Sequence, residues 1–384
     1  MQFEFATANR IVFGAGTRRQ AAPAAAQLGN RALVVTGVGG DSAEELLAEL
    51  AQAGVATTRF VVSGEPTTAV VQDGVAQARA AGCDLVIGLG GGSALDTGKA
   101  IAALLTNGGE PLDYLEVVGR GQPLTRPSAP LIALPTTAGT GAEVTRNAVL
   151  AVPERRVKVS LRSPGMLPTL AIVDPELTYS LPPDLTASTG LDALTQVLEP
   201  FVSSRANPLT DGICREGLQR AARSLRRACT NGADAEARSD MALASLFGGV
   251  ALANAGLGAV HGFAGVIGGM FPAPHGAVCA CLLPYVMAAN LRALQAHAPQ
   301  HPALGRYKEI GQILTGAPSA GAAAGVSWVQ ELCAALAMPQ LGAFGVTRND
   351  FAAIVAQAQQ ASSMKANPLP LTDEALTAVL EQAL

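Results

Sequence analysis

Short apolar runs alternate with longer stretches of helical periodicity over the first half of the chain; after that only helical periodicity continues. Residues 31–36 (RALVVT) read as a strand ended by Gly37. Asp41 or Ser42 can cap the following helix, which reads on to Ala53. Residues 55–62 suggest a second strand, 67–81 a helix, 84–89 (DLVIGL) a buried strand, and 94–105 another helix. Further strands are expected at 131–134 and 170–173, with 147–152 and 157–161 pairing. Residues 3–5 and 10–13 flank a polar turn and predict an N-terminal hairpin. Short strands separated by helices predict βαβ units on a parallel sheet.

Beyond about Leu181 the strand pattern stops. Pro182-Pro183-Asp184 supplies a boundary and a helix start. Helices are expected over 184–202, 208–228, 234–256, 259–270, 276–291, 319–337, 349–360 and 372–383. The predicted fold is an α/β N-terminal domain, 1–181, plus an all-helical C-terminal domain, 182–384. A cleft between two such domains is where ligands are expected.

One stretch of the second half stands apart. Residues 241–291 contain no Asp, Glu, Lys or Arg, although charged residues make up 15% of the chain. A membrane hairpin and a buried core both have this look. A spanning helix needs roughly 20 consecutive apolar residues. Here glycines, Asn254, His261, Pro272 and Pro274 break the runs, and no Lys/Arg cluster or aromatic belt marks an edge. A core is expected and no membrane partner. The first residues (MQFEF) do not read as a signal peptide.

Composition narrows the classes further. A hydrophobic share of 49% over 384 residues suits two domains with real cores. The net charge of −4 comes without a basic run, so no nucleic-acid footprint is present. The six cysteines are scattered and form no C-x-x-C pair, which fits reduced thiols in a cytoplasmic setting. Cys279-x-Cys281 lacks the second pair of a thiolate metal site.

Two loops carry candidate chemistry in the first half. Gly90-Gly91-Gly92-Ser93 ends a strand and opens a helix that includes Asp96 and Lys99. Free backbone N–H groups and the helix dipole make such a turn a physical site for a pyrophosphate, though a tightly packed turn looks the same. Gly37-Val38-Gly39-Gly40 is only a partial echo of the G-x-G-x-x-G fingerprint. The loop from Pro135 to Glu143 offers Thr136, Thr137 and Thr140 to a phosphate or ribose.

In the second half, Asp192 and Gln196 are four apart and share a helix face. His261 and His275 hold half of the four histidines, on two helices joined by a proline-containing turn. Two imidazoles and a carboxylate can hold Fe(II) or Zn(II), while satisfied core histidines give the same pattern.

The motifs GGGSALDTGKA (90–100), LPTTAGTGAEVTRNAV (134–149), VDPELT (173–178), GLDAL (190–194) and PHG (274–276) occur in order. In these the chain resembles the iron-dependent (group III) alcohol dehydrogenases, whose fold is shared with dehydroquinate synthase. The resemblance implies an NAD(P)-dependent alcohol dehydrogenase or aldehyde or ketone reductase, with metal-assisted hydride transfer in the interdomain cleft. It implies a dinucleotide held by Gly91, Gly92 and Ser93, with Asp96 in the same motif. Thr136, Thr137, Thr140 and Lys158 would touch phosphates, ribose or nicotinamide. Gly37 stands where many NAD-preferring relatives carry Asp, which leaves NAD or NADP open. Asp192, His261 and His275 match three metal positions and are the expected catalytic centre. Gln196 occupies the fourth, where the family pattern has His. Gly265 replaces a histidine that relays protons in relatives. Relatives are commonly dimers or larger, so a homo-oligomer acting on a small alcohol or carbonyl compound is expected. A metal-independent, maleylacetate-reductase-like enzyme and a non-catalytic nucleotide-binding homologue are the alternatives.

Overall fold

The computed structural model describes residues 2–39 and 41–384. Gly40, the last glycine of the partial fingerprint echo, lies outside the described residues. The chain divides into two compact units. One comprises Ala6–Thr137 and Gly141–Ser180; the other comprises Ala138–Thr140 and Leu181–Leu384, together with the residues up to Phe5.

The first unit carries the strands β1 (Ile11–Phe13), β2 (Arg31–Thr36), β3 (Ala56–Val61), β4 (Leu85–Gly90), β5 (Leu131–Pro135), β6 (Asn147–Val152), β7 (Val157–Arg162) and β8 (Leu170–Val173). Its helices are α1 (Ala21–Leu28), α2 (Asp41–Gln52), α3 (Thr68–Ala80), α4 (Gly92–Asn107) and α5 (Pro111–Tyr114). Six strands form a sheet in the order β1-β8-β5-β4-β2-β3, and every pairing in it is parallel. Strands β4 and β5 are buried at every residue. That is why they lack apolar–polar alternation: helices cover both faces. Val34, Ile87 and Ile132 face Leu46 and Leu50 of α2, while Leu33, Val35 and Val86 share a core with Val71, Val75 and Ile101. The expected pair β6 and β7 forms as an antiparallel ribbon.

The predicted N-terminal hairpin does not form. Ile11–Phe13 pairs in parallel with Ala171–Val173 of β8 instead, and no strand is present before Ile11 among the described residues. The local polar turn signalled a hairpin, but the open edge of β8 offers a longer apolar surface to pair with.

The second unit is helical: α6 (Pro183–Val202), α7 (Pro208–Thr230), α8 (Ala235–Ala255), α9 (Ala259–Met270), α10 (His275–His297), α11 (Pro302–Thr315), α12 (Ala322–Ala335), α13 (Phe351–Gln360) and α14 (Asp373–Ala383). Helix α11 was not expected from the sequence, and α10 runs six residues past its predicted end. Helix α6 is buried at every residue from Gly190 to Val202. The charge-free stretch becomes most of α8, all of α9 and the first part of α10. By length and composition α10 could cross a membrane, yet 78% of its most apolar window is buried inside the protein. It is a core helix.

Candidate functional site

In the α/β unit the strands β2 and β4 neighbour each other although β3 intervenes in sequence, so the chain order reverses there. The carboxyl ends of strands at such a switch point are where open α/β sheets take ligands. Gly90 ends β4 with φ 158. A Cβ on it would lie 2.7 Å from the Ala94 Cβ and 3.3 Å from the Gly37 backbone nitrogen, so only glycine lets the two strand ends come this close. Gly91 is the N-cap of the sixteen-residue α4 and supplies no capping side chain. Gly92 and Ser93 begin the helix, so its first N–H groups remain for a ligand. A Cβ on Gly91 would meet Thr137 at 3.2 Å, and the Thr136 N–H donates to the Gly90 carbonyl at 3.0 Å. Gly37, Gly91, Gly92, Ser93, Thr136 and Thr137 are therefore brought to one mouth.

The other expected cofactor residues are placed differently. Asp96 accepts from the Val149 N–H at 2.9 Å and pairs with Lys99 at 2.8 Å, tying α4 to β6. Lys158 pairs with Glu65 at 2.9 Å. Thr140 groups with the helical unit. Lys99 is 1% exposed and also donates to the Thr145 hydroxyl at 2.8 Å.

The helical unit gathers a donor cluster from three helices. Helix α6 presents Asp192, Gln196 and Glu199 along one face, spaced one turn apart. Helix α9 presents His261, and α10 begins at His275 and presents Cys279 one turn later. The His261 Nε2 lies 3.3 Å and the His275 Nε2 3.8 Å from the Asp192 Oδ1. The Cys279 Sγ lies 3.9 Å from the His261 Nε2 and 3.8 Å from the His275 Nε2. One ligand atom from each of Asp192, His261, His275 and Cys279 lies within 4.8 Å of all the others. Metal–nitrogen bonds near 2.0 Å and metal–sulfur bonds near 2.3 Å make the edges of a tetrahedral site about 3.3–3.6 Å. The observed spacings suit a cation at the centre with slight contraction.

Two glycines permit this convergence. A Cβ on Gly276 would sit 2.3 Å from the Ser188 carbonyl oxygen, so the start of α10 packs directly on α6. A Cβ on Gly258 would sit 2.7 Å from a Glu199 oxygen, so the N-terminus of α9 closes on that carboxylate. Glu199 in turn accepts from the Val260 N–H at 2.7 Å and lies 2.7 Å from the His261 Nδ1. With the proton on Nδ1, the His261 Nε2 lone pair is left facing the cluster. Gly276→Ala is expected to cost about 2–3 kcal/mol of stability through a backbone clash. It should also weaken metal binding. Urea unfolding and metal titration read the two effects, and wild-type values for both would contradict this packing.

The cluster's electrostatics favour a bound cation. Burial opposes the charge of Asp192, but His275, His261 and a hydrogen bond from Gln196 outweigh it and hold the carboxyl below its usual range. Burial likewise works against a charged His261, yet Cys279, Asp192 and Glu199 prevail and raise it well above its usual value. His275 is raised for related reasons. The side chain of Gln196 uses its amide on Asp192, and its Oε1 is buried with no hydrogen-bond partner. Four convergent donors and an orphaned acceptor beside them fit a divalent metal. At Gly265 a Cβ would meet nothing within 4 Å, so the position of the missing histidine is open space.

Cys279 and Glu199 were not assigned roles from the sequence. The His275-x-x-x-Cys279 spacing was the available signal for the first. It stayed hidden because the helix was expected to start after His275. Cys281, the other half of the C-x-C pair, points elsewhere and donates to the Pro339 carbonyl at 2.8 Å.

A strand-end mouth suited to a pyrophosphate and a largely buried Asp/His/His/Cys cluster define the class as a metal-assisted dinucleotide oxidoreductase. Comparison with known proteins agrees. The family described as "Iron-containing alcohol dehydrogenase" matches residues 8–175, and "Fe-containing alcohol dehydrogenase family, C-terminal" matches residues 186–384. The 1,3-propanediol dehydrogenase of Klebsiella pneumoniae is 36% identical over 363 residues, covering 92% of each chain. A crystal structure of 1,3-propanediol oxidoreductase superposes with a TM-score of 0.92 at 33% identity and full coverage of both chains. Sulfoacetaldehyde reductase from Bifidobacterium kashiwanohense, solved in complex with NAD+, gives 0.87 at 30% identity, covering 100% of this chain and 99% of its own. The chain belongs to the iron-containing alcohol dehydrogenase family. It is an NAD(P)-dependent oxidoreductase acting on CH–OH groups.

Proposed function

We propose that this enzyme interconverts a primary alcohol and its aldehyde, with NAD or NADP as hydride carrier and a divalent metal held in the helical unit. The observation that carries this reading is the four-donor cluster of Asp192, His261, His275 and Cys279. A cation bound there supplies Lewis-acid polarisation of the substrate oxygen. The relatives named for 1,3-propanediol and sulfoacetaldehyde act on a terminal hydroxyl or a terminal aldehyde, which supports a primary alcohol/aldehyde pair.

The protein's own residues divide the work. Gly91, Gly92 and Ser93 present the first N–H groups of α4 to the pyrophosphate, and Thr136 and Thr137 line the same mouth. Thr140 and Lys158 are further candidates for cofactor contacts, Lys158 by leaving its pair with Glu65, while Asp96 holds α4 in place through Val149 and Lys99. Gly37 offers no carboxylate to bind a ribose 2′-OH or repel a 2′-phosphate, so both cofactors are accommodated. Asp192, His261 and His275 hold the metal, with Cys279 and the Gln196 Oε1 as the further donors at hand. Glu199 fixes the ring of His261. Burial of Asp192, His261 and Cys279 lowers the local dielectric, which strengthens each of these interactions, while His275 stays partly exposed. The six cysteines are all unpaired, in keeping with a cytoplasmic enzyme, and we infer a homo-oligomer as in the family.

The test is elemental analysis joined to a screen of alcohols and aldehydes with NADH and NADPH in parallel. Bound Fe or Zn and activity abolished by chelators are expected. Full activity in EDTA with no Fe or Zn would favour the metal-independent alternative. Tight cofactor binding without reduction of any carbonyl would favour a non-catalytic homologue.

A further inference from the structure

We propose that Cys279 binds the metal as a thiolate and takes the ligand place left by Gln196, giving this protein a mixed Asp/His/His/Cys centre selective for Zn(II). The proposal rests on the metal-assisted reading above and concerns which atoms complete the site and which ion they choose.

The geometry separates the two remaining donors. The Cys279 Sγ sits 3.9 and 3.8 Å from the two imidazole Nε2 atoms that face the site. These are close to the edges of a tetrahedron that contains one metal–sulfur bond. Cys279 has no exposed surface, and its partners in hydrogen-bond range are those two histidines. Gln196 instead turns its amide donor towards Asp192. With its N–H on Asp192, Gln196 has only a neutral amide oxygen to offer a cation, and keeping that bond leaves the carboxylate oriented. Gln196 is then a positioning residue for Asp192.

Charge and softness point the same way. A neutral amide oxygen is a weak donor, whereas a thiolate adds a second anion to that of Asp192. Together they balance a divalent ion in a largely buried site. Binding of the metal displaces the thiol proton. Thiolate ligands favour Zn(II) over harder ions, and Zn(II) also exceeds Fe(II) in general affinity for such donors. Helical spacing makes the arrangement possible, because His275 and Cys279 are one turn apart on α10 and reach one point together.

The experiment uses the full-length protein, stripped of metal and reloaded anaerobically with Co(II), and with Zn(II) for X-ray absorption. The Co(II) form is expected to show an intense near-ultraviolet thiolate-to-cobalt charge-transfer band. That band should vanish in Cys279→Ser and persist in Gln196→Ala. The Zn(II) form should show one sulfur scatterer at about 2.3 Å. Zn(II) affinity of Cys279→Ser should fall by about 100-fold or more, beyond what loss of an outer partner alone produces. Stoichiometric Co(II) binding without the band, or a band that survives in Cys279→Ser, would overturn the thiolate ligand and leave the metal-assisted reading standing. Failure to bind either ion would overturn both. If Cys279→Ser does not fold, the sulfur shell of the wild-type Zn(II) form decides the question alone.

Discussion

His261→Ala is expected to purify without stoichiometric metal and to lose about 1000-fold or more in kcat/KM, equivalent to roughly 4 kcal/mol of transition-state stabilisation. The substitution removes the one ligand that touches both Asp192 and the buried carboxylate of Glu199. The fold should survive, because Glu199 keeps its 2.7 Å bond from the Val260 N–H at the start of α9. Cofactor affinity should change little, since the glycine mouth belongs to the other unit. Elemental analysis, steady-state kinetics and NAD(P)H fluorescence titration separate these effects. A variant with full metal content and near-wild-type kcat/KM would remove His261 from the catalytic centre.

The second large effect concerns stability in the α/β unit. Glu143 is fully buried beside Lys99; burial pushes its carboxyl up to about 7, against a backbone hydrogen bond and the Lys99 charge, which lower it. In the unfolded chain the same group titrates near 4.5. The folded state therefore binds the proton more tightly. The stability this provides is complete below pH 4.5 and is lost as pH rises through about 7. The loss amounts to roughly 3 kcal/mol at most. Glu143→Gln imitates the protonated form and should be more stable than the wild type by up to that amount at pH 8, with no gain at pH 4.5. Urea unfolding across this range checks it. Equal slopes of stability against pH for the two proteins would mean that Glu143 stays ionised in the folded state.

The sheet and most helices were legible because their signals are local. A short apolar run such as LVIGL, bounded by Asp84 and a glycine-rich end, reads as a buried strand followed by a sharp turn. The N-terminal hairpin was misread because β1 pairs with β8, whose sequence lies far along the chain and leaves no trace near residue 11. Helix α11 was missed although His301 caps it and Pro302 opens it. Neither residue stands out beside Pro299 just before them.

The candidate metal centre shows the same division. Its histidines and aspartate could be named from residue type and motif, and the departures at Gln196 and Gly265 were visible as letters. Shared helix faces follow from the order of residues alone, because the 3.6-residue period is local: Asp192 with Gln196 and Glu199, and His275 with Cys279 once the helix start is known. That these faces meet is a matter of how the helices pack. Convergence depends on how closely α9 and α10 approach α6, and that distance is set by the missing side chains of Gly258 and Gly276 against Glu199 and Ser188. The packing also decides that Gln196 turns to Asp192 while Cys279 turns to the histidines, a choice of partners that no spacing along the chain encodes.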